Sequence, residues 1–335
     1  MLEYNPSGYS VAIVGATGLV GRTMVEALQD HDIPVRELRL FASGRSKGSI
    51  VRALGMEIVV ETPEDARLDG IDICLFSAGA KVSKEFAPAF VKAGALVIDN
   101  SSAFRTDPEI PLVVPEVNSE DIILEGIIAN PNCSTIQAVV PLKALDDAFG
   151  VTMVSYVTFQ AVSGSGQQGI TALHARLMGK EDAFYPHDIS KTAIPEIDVF
   201  MEDGYTKEEH KMVDETRKIL KRPALPVSAT CVRIPVERGH AVQMTVSLKE
   251  PFEEEDVKDA LRRFPGIIVC DDPKARRYPV STDVIGTDII RVGRIRKDLA
   301  DPSRVLLYVV ADNIRKGAAG NAVQILGHAL GLLKP

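Results

Sequence analysis

Short apolar runs alternate with helix-like stretches through the first hundred residues. The runs span residues 10–14, 37–42, 57–60, 71–76 and 95–99. Apolar residues at helical spacing fill two of the intervals between them, at 19–28 and at about 82–93. Strands that alternate with helices favour a parallel, doubly wound α/β sheet.

The pattern changes at Val151, where longer runs rich in β-branched and aromatic residues begin. Such runs predict strands. They span residues 151–162, 229–236, 240–246, 267–270, 289–295 and 305–311. A last helix, starting at Arg315, has an apolar stripe that we expect to pack against the first domain. The pattern therefore predicts an α/β domain at 1–132, completed by 313–335, and an α+β domain at 133–312.

The pattern predicts that two sets of polar side chains face solvent. The helix at about 206–220 carries Glu208, Lys211 and Glu215, and periodicity alone favours a solvated face with ion pairs one turn apart. Gln160 lies near the end of its strand, where period-2 alternation permits a solvent-facing position.

Composition narrows the class of protein. The 335 residues are 45% apolar and 25% charged, which is typical of soluble globular proteins, and the net charge is −8. That charge argues against nucleic-acid binding, no apolar run is long enough to span a membrane, and the N-terminus lacks signal-peptide features. Four scattered cysteines without a C-x-x-C pair predict neither a zinc site nor a disulfide framework, and favour a cytoplasmic protein.

A glycine-rich turn joins the first strand to the first helix. It reads G-A-T-G-L-V-G at Gly15–Gly21. Glycines at such a turn permit close approach of a pyrophosphate to the helix N-terminus. The turn predicts a dinucleotide site, although its spacing is G-x-x-G-x-x-G, and a plain turn without a ligand is the alternative.

The loop after the next strand bears on the choice of cofactor. It lacks the acidic residue that usually holds the ribose 2′-hydroxyl of NAD. Ser43, Arg45, Ser46 and Lys47 lie there instead, and such side chains can bind a 2′-phosphate. The loop favours NADP, with a solvated basic loop as the alternative.

The hexapeptide Asn130–Thr135, N-P-N-C-S-T, contains the strongest candidate nucleophile. An apolar stretch precedes it and a helical pattern follows, so we expect Cys133 at a helix N-terminus. A thiol there ionises more readily, and the backbone N–H groups could hold an oxyanion. A buried, inert cysteine is the alternative.

Two other positions suit proton transfer and anion binding. Arg233 and His240 flank a break at Glu237–Gly239, and histidine is the usual acid–base near neutral pH. A Cys–His pair recurs in nucleophilic catalysis. Arg105 follows another strand end and is a candidate clamp for phosphate or carboxylate, although most arginines are surface charges.

Taken together, these motifs resemble those of aspartate-β-semialdehyde dehydrogenases over nearly the whole chain. The matching segments are 15–21, 100–105, 130–135, 159–164, 233–236, 239–240, 312–313 and 317–319. The resemblance implies a Rossmann-like NADP domain and an α+β catalytic and dimerisation domain with a mixed sheet. It also implies reversible, NADP-dependent reductive dephosphorylation of 4-phospho-L-aspartate to L-aspartate 4-semialdehyde, toward lysine, methionine and threonine.

The resemblance also implies roles for individual residues. Cys133 is the acyl-thioester nucleophile, His240 the acid–base, and Gln160 orients the thioester. Substrate and phosphate are bound by Arg105 and Lys211 (phosphate), Arg233 (carboxylate), Glu208 (amino group) and Asn132. NADP is contacted by Gly15, Thr17, Gly18, Leu19, Val20, Ser43, Arg45, Ser46, Ser163, Gly164 and Asn313. The implied partners are the small-molecule substrate and inorganic phosphate, with no metal, and the implied assembly is a homodimer or homotetramer.

Two other functions fit the same motifs. N-acetyl-γ-glutamyl-phosphate reductases share the chemistry, but their acetylated substrate needs no acid for a free amino group, so Glu208 favours the aspartyl substrate. A non-catalytic NADP-binding paralogue is the second alternative, and the presence of Cys133 and His240 argues against it. Ala241 stands where many relatives carry Ser or Thr, a difference that affects the rate rather than the reaction.

Overall fold

The computed structural model describes Asn5 and residues 7–333, and the chain divides into two compact units. Unit 1 comprises the residues up to Pro131 and those from Ala318 onward, and unit 2 comprises Asn132–Gly317. The domain boundaries expected from the sequence, after residues 132 and 312, lie one residue and five residues from the boundaries between the two units.

Thirteen strands and eight α-helices are formed by the described residues. The strands are β1 (Tyr9–Val14), β2 (Val35–Phe41), β3 (Ile50–Ala53), β4 (Met56–Val59), β5 (Ile73–Phe76), β6 (Leu96–Asp99), β7 (Ile127–Ala129), β8 (Val151–Gln160), β9 (Val227–Arg233), β10 (His240–Leu248), β11 (Ile267–Val269), β12 (Ile290–Lys297) and β13 (Arg304–Ala311). The helices are α1 (Leu19–Asp30), α2 (Ala80–Lys92), α3 (Pro115–Asn118), α4 (Cys133–Phe149), α5 (Gly166–Leu177), α6 (Lys207–Ile219), α7 (Glu254–Arg263) and α8 (Asn321–Ala329). No helix in this part of the chain is both long and apolar enough to cross a membrane.

Unit 1 is built on a five-stranded, all-parallel sheet of order β2-β1-β5-β6-β7. Every residue of β1, β5 and β6 is buried, as expected for a parallel sheet covered on both faces. The predicted doubly wound α/β fold is therefore confirmed.

The run at 57–60 forms a strand, as predicted, but this strand does not join the parallel sheet, so its expected place in that sheet is wrong. β4 pairs antiparallel with β3 in a separate two-stranded ribbon. Leu54 and Gly55, between the two strands, have φ values of 51° and 75°. Two consecutive positive φ angles are the backbone of a tight hairpin turn, which sends the chain straight back on itself.

The C-terminal helix α8 belongs to unit 1, as its apolar stripe predicts. Ala322, Val323, Ile325 and Leu326 are fully buried in the same core cluster as Ile13 of β1. The α-helix begins later than expected, because Arg315–Gly320 forms a π-helical turn before it.

Unit 2 is an α+β body with a six-stranded mixed sheet of order β11-β12-β13-β10-β8-β9. β8 runs parallel to β9 and antiparallel to β10. The carboxyl ends of β8 and β9 and the amino end of β10 therefore share one edge of the sheet. Gln160, Arg233 and His240 are the residues at those three ends.

Candidate active site

Cys133 is the first residue of α4, as the sequence pattern predicts, and it is half-buried. The N-cap is Asn132, whose side-chain oxygen accepts hydrogen bonds from the backbone N–H groups of Ser134 and Thr135 at 3.0 and 3.3 Å. The cap thus uses two of the first-turn N–H groups that were expected to hold an oxyanion. That expectation is corrected for Ser134 and Thr135, because a capped N–H is not available to a second acceptor.

Two carboxylates of α6 hold Asn132 in place. Its side-chain nitrogen donates to Glu208 Oε1 at 2.8 Å, and its backbone N–H donates to Glu215 Oε2 at 2.6 Å. Glu208 is 5% exposed and Glu215 is 2% exposed. The solvated face predicted from periodicity is therefore wrong for these two residues. The hydrogen bonds from Asn132 offset the free-energy cost of burying these two carboxylates, and helical spacing does not reveal such a partner.

Glu208 and its neighbour Glu209 have different surroundings. Glu208 also accepts a hydrogen bond from Gln160 Nε2 at 3.1 Å and forms an ion pair with Lys211 at 3.1 Å. Glu209 instead accepts from the backbone N–H groups of Thr206 and Cys231, so it completes the capping box of α6. Of the two, Glu208 is the one whose carboxylate lies beside Asn132 and Gln160.

Charge pairing keeps Glu208 and Lys211 ionised. Burial opposes the charge of Glu208, but Lys211 and the hydrogen bonds from Asn132 and Gln160 outweigh it and hold the pKa of Glu208 below its ordinary value. Burial likewise opposes the charge of Lys211, but Glu208 and Asp198 raise the pKa of Lys211 above its ordinary value. The pair places a fixed anion next to Gln160 and a fixed cation next to that anion.

His240 is fully buried at the start of β10, and its ring has a defined orientation. The backbone N–H of Ala161 donates to His240 Nδ1 at 3.0 Å. The other ring nitrogen, Nε2, is buried and has no hydrogen-bond partner among the described residues. Burial, together with the charge of Arg233, lowers the pKa of His240 well below its ordinary value of 6.5. A neutral ring that accepts at Nδ1 carries its proton on Nε2.

Arg233 lies beside this histidine. It is 4% exposed, and its Nη1 atom donates to the carbonyl oxygen of Ala161 at 2.6 Å. Gly164 leaves room for both side chains, since a Cβ atom there would lie 2.8 Å from Arg233 Nη1 and 3.3 Å from His240 Nε2. The interpretation of Gln160 as solvent-facing is also wrong, because that side chain is 1% exposed.

Asn313 and Gly317, which belong to the last residues of unit 2, lie next to residues of the site. A Cβ atom at Gly317 would lie 3.0 Å from the Cβ atom of Cys133. The Asn313 side-chain oxygen accepts from the backbone N–H of Gly239 at 2.8 Å, and its nitrogen donates to Ser163 Oγ at 3.0 Å. Asn313 and Ser163 thus fix the backbone next to His240.

The glycine-rich turn of unit 1 has the geometry of an anion cradle. Gly15 has a φ of 89°, and a Cβ atom there would lie 2.7 Å from the carbonyl oxygen of Ser77. Gly21 packs closely on Gly15, where a Cβ atom would lie 2.3 Å from its carbonyl oxygen. Gly18 caps α1 without a side-chain hydrogen bond, so the first-turn N–H groups are not covered by a capping side chain.

The loop after β2 approaches this turn. Thr17 Oγ1 and Ser46 Oγ are 3.4 Å apart, while Ser43 and Arg45 are exposed. Lys47 is paired with Asp65 at 2.6 Å. Leu19 and Val20, the first residues of α1, are half-buried.

Arg105 belongs to unit 1 and is 8% exposed. Its Nε atom donates to the carbonyl oxygen of Asn130, and its Nη2 atom donates to that of Asn100, both at 2.9 Å. Asp99, which is buried at the end of β6, accepts from Ser83 and Ser101 and so shapes the loop that carries Arg105.

Two residues that join these elements were not predicted to belong to the site. One is the Asn132-binding Glu215, which follows Glu208 by two helical turns, so the seven-residue spacing was a usable signal. The other is Gln137, whose Nε2 atom donates to the carbonyl oxygen of His240 at 3.4 Å and so ties α4 to β10. No sequence signal distinguishes this glutamine from a surface residue.

Comparisons with known proteins agree with this architecture. The family model described as "Semialdehyde dehydrogenase, NAD binding domain" matches residues 10–124, and "Semialdehyde dehydrogenase, dimerisation domain" matches residues 142–316. The aspartate-semialdehyde dehydrogenase of Aquifex aeolicus is 51% identical over 95% of this chain and 97% of its own, and that of Bacillus subtilis is 44% identical over 95% and 96%.

Solved structures show the same likeness. Aspartate semialdehyde dehydrogenase II of Vibrio cholerae, complexed with ASA, superposes with a TM-score of 0.93 at 45% identity, covering 97% of this chain and 98% of its own. The Candida albicans enzyme, solved with NADP, has a TM-score of 0.76 at 26% identity, with 98% and 100% covered.

Proposed function

This chain belongs to the aspartate-semialdehyde dehydrogenase family, and from that premise we propose that it reduces 4-phospho-L-aspartate to L-aspartate 4-semialdehyde, reversibly and with NADP. The observation that carries the proposal is the position of Cys133. It starts a helix whose cap is bonded to Glu208, while Gln160, Arg233 and His240 occupy one edge of the adjoining sheet in unit 2. The reaction supplies a step toward lysine, methionine and threonine.

The first step is acyl transfer to Cys133. The thiolate attacks the acyl carbon of the substrate, the bond from that carbon to the phosphate oxygen breaks, and inorganic phosphate leaves. The helix N-terminus favours the thiolate form. Gln160, which is anchored by Glu208, orients the resulting thioester.

The second step reduces the thioester. The reduced cofactor, which the residues of the glycine-rich turn and of the loop after β2 would hold, would supply a hydride to the thioester carbonyl carbon. We assign His240 as the acid–base of this step. Its Nε2–H has no partner among the described residues and is a preorganised donor to the oxyanion that develops there. When the thiohemiacetal collapses, the carbon–sulfur bond breaks, Cys133 is released as a thiolate, and the aldehyde leaves.

The charged side chains of the site suit the substrate's charged groups. We assign the α-carboxylate to Arg233 and the amino group to Glu208, whose lowered pKa keeps it anionic. Lys211 is assigned to the phosphate, since its raised pKa keeps it cationic. Arg105 is assigned to the phosphate from the family resemblance, and Asn132 to substrate binding through its contact with Glu208.

The residues present fit a dinucleotide cofactor. The Gly15 cradle and the N-terminus of α1 suit a pyrophosphate, and the absence of an acid after β2 suits the 2′-phosphate of NADP. The residues assigned to NADP are Gly15, Thr17, Gly18, Leu19, Val20, Ser43, Arg45, Ser46, Ser163, Gly164 and Asn313.

We further propose that the protein is cytoplasmic and forms a homodimer or a homotetramer, in which two copies pair through unit 2. Support comes from the dimerisation family model. It also comes from the sheet of unit 2, where alternate residues such as Val157, Gln243 and Tyr308 are only half-buried between buried neighbours. An incompletely covered sheet face of this kind suits an isologous contact with a second copy.

Side-by-side assays test the proposed reaction. Phosphate-dependent formation of NADPH is followed with aspartate 4-semialdehyde and with N-acetylglutamate 5-semialdehyde. Turnover of the first alone supports the proposal. Turnover of the second alone assigns the chain to N-acetyl-γ-glutamyl-phosphate reduction, and absence of turnover in folded, NADP-binding protein assigns it to a non-catalytic role.

A further inference from the structure

We propose that Glu215 is a positioning residue for the nucleophile, acting through Asn132 on Cys133. This inference rests on the proposed function of Cys133. The Glu215 carboxylate accepts the backbone N–H of Asn132 at 2.6 Å, and the side chain is 2% exposed. A hydrogen bond to a backbone N–H holds that backbone more firmly where water is excluded.

The two carboxylates of α6 bind different groups of Asn132. Glu208 receives the side-chain amide of Asn132 at 2.8 Å, and Glu215 receives its backbone N–H. The remaining side-chain oxygen of Asn132 caps α4. Asn132, the residue before Cys133, is therefore held both at its backbone N–H and at its side chain, which leaves the first residue of α4 little freedom.

This arrangement separates positioning from substrate binding. Glu208 also contacts Gln160 and Lys211, so its loss would disturb the proposed binding of the substrate amino group. The hydrogen bond of Glu215 goes instead to the backbone of the nucleophile's neighbour. Loss of that bond should slow acylation without weakening substrate binding, since a small displacement of a reacting group is costly to rate.

The experiment compares Glu215→Asp with Glu215→Gln in the full chain. Aspartate keeps the charge but is one methylene shorter, so it withdraws from the Asn132 N–H. Glutamine keeps the length and an accepting oxygen. We expect Glu215→Asp to lower kcat about 10- to 100-fold, while its KM for aspartate 4-semialdehyde stays within about 3-fold of the wild-type value. We expect Glu215→Gln to retain most of the wild-type kcat.

Glu209→Asp is the matched control, because Glu209 is also buried on α6 but bonds Thr206 and Cys231. It should lower thermal stability and leave kcat within about 3-fold. Equal losses of kcat in Glu209→Asp and Glu215→Asp, or an unchanged kcat in Glu215→Asp, would overturn the proposal.

Amide hydrogen exchange gives a readout that does not require activity. Glu215→Asp should speed exchange in the peptide that contains Asn132 and Cys133, and Glu209→Asp should not. Unchanged exchange there contradicts the positioning role even if the protein reduces a different acyl phosphate. If the wild-type protein has no activity but Glu215→Asp still exchanges faster in this peptide, the contact of Glu215 is supported and only the proposed function fails.

Discussion

The two backbone groups of Ala161 orient His240 and Arg233 at once: its N–H donates to His240 Nδ1 at 3.0 Å, and its carbonyl accepts from Arg233 Nη1 at 2.6 Å. The first bond places the proton of the neutral imidazole on Nε2. The second holds a cation close enough to lower the pKa of the histidine further than burial alone. One residue after β8 thus sets both the tautomer and the charge of the ring.

The lowered pKa of His240 predicts a specific dependence of stability on pH. An unfolded histidine takes up a proton near pH 6.5, whereas the buried ring stays neutral to a lower pH. The unfolded state therefore binds more protons below pH 6.5, so the contribution of His240 to stability is full above that value and is lost as the pH falls toward the folded-state pKa. Denaturant unfolding at about pH 7.5 and about pH 5.5 should show a larger loss for wild type than for His240→Gln. An equal loss in both proteins would contradict the account.

Replacing Arg233 should affect substrate binding first. Arg233→Leu removes the proposed partner of the α-carboxylate, and we expect kcat/KM to fall about 100-fold, mainly through KM. Arg233→Lys should recover only part of the loss, because an ammonium cannot reproduce the planar fork of the guanidinium. Steady-state kinetics with aspartate 4-semialdehyde measures both variants. Unchanged KM and kcat in Arg233→Leu would remove this residue from the site.

The room left by Gly164 should be essential for activity. In Gly164→Ala the new methyl group lies 2.8 Å from Arg233 Nη1 and 3.3 Å from His240 Nε2, so one of these side chains must move. We expect kcat/KM to fall by at least about 10-fold while the folded protein remains soluble and cooperative on heating. Gly44→Ala adds the same methyl group where nothing lies within 4 Å, and at saturating NADP it should retain wild-type kcat. Full activity in Gly164→Ala would contradict this prediction, because Arg233 and His240 would then tolerate the added methyl group.

The exposed Arg45 should set the preference for NADP. Arg45→Ala removes a partner for the 2′-phosphate, so KM for NADP should rise about 10-fold while KM for NAD stays nearly constant. Lys47→Ala is the control in the same loop, because Lys47 is already paired with Asp65. Steady-state kinetics with each cofactor measures both KM values. An equal change in KM for NADP and for NAD would exclude Arg45 from recognition of the 2′-phosphate.

Local patterns predicted where the helix of the candidate nucleophile begins. The apolar stretch before Asn130–Thr135 and the helical pattern after it indicated a helix N-terminus at Cys133, which is the first residue of α4. These features depend on neighbours along the chain, so a sequence is enough to find them.

Contacts between distant segments escaped prediction. The burial of Glu208 and Glu215 depends on Asn132, which lies more than seventy residues earlier in the chain. The same holds for His240, whose tautomer depends on the backbone of Ala161 and not on its own neighbours. Periodicity assigns a charged residue to solvent unless its partner is known, and the partner is supplied only by the tertiary fold.

The acyl-thioester at Cys133 is the central claim, and mass spectrometry tests it most directly. The protein is mixed with aspartate 4-semialdehyde and NADP without phosphate, quenched in acid, and mapped by peptide. We predict one aspartyl group on the Cys133 peptide, formed together with one equivalent of NADPH and discharged when phosphate is added. Sustained turnover with Cys133 unmodified, or an aspartyl group on another residue, would contradict the account.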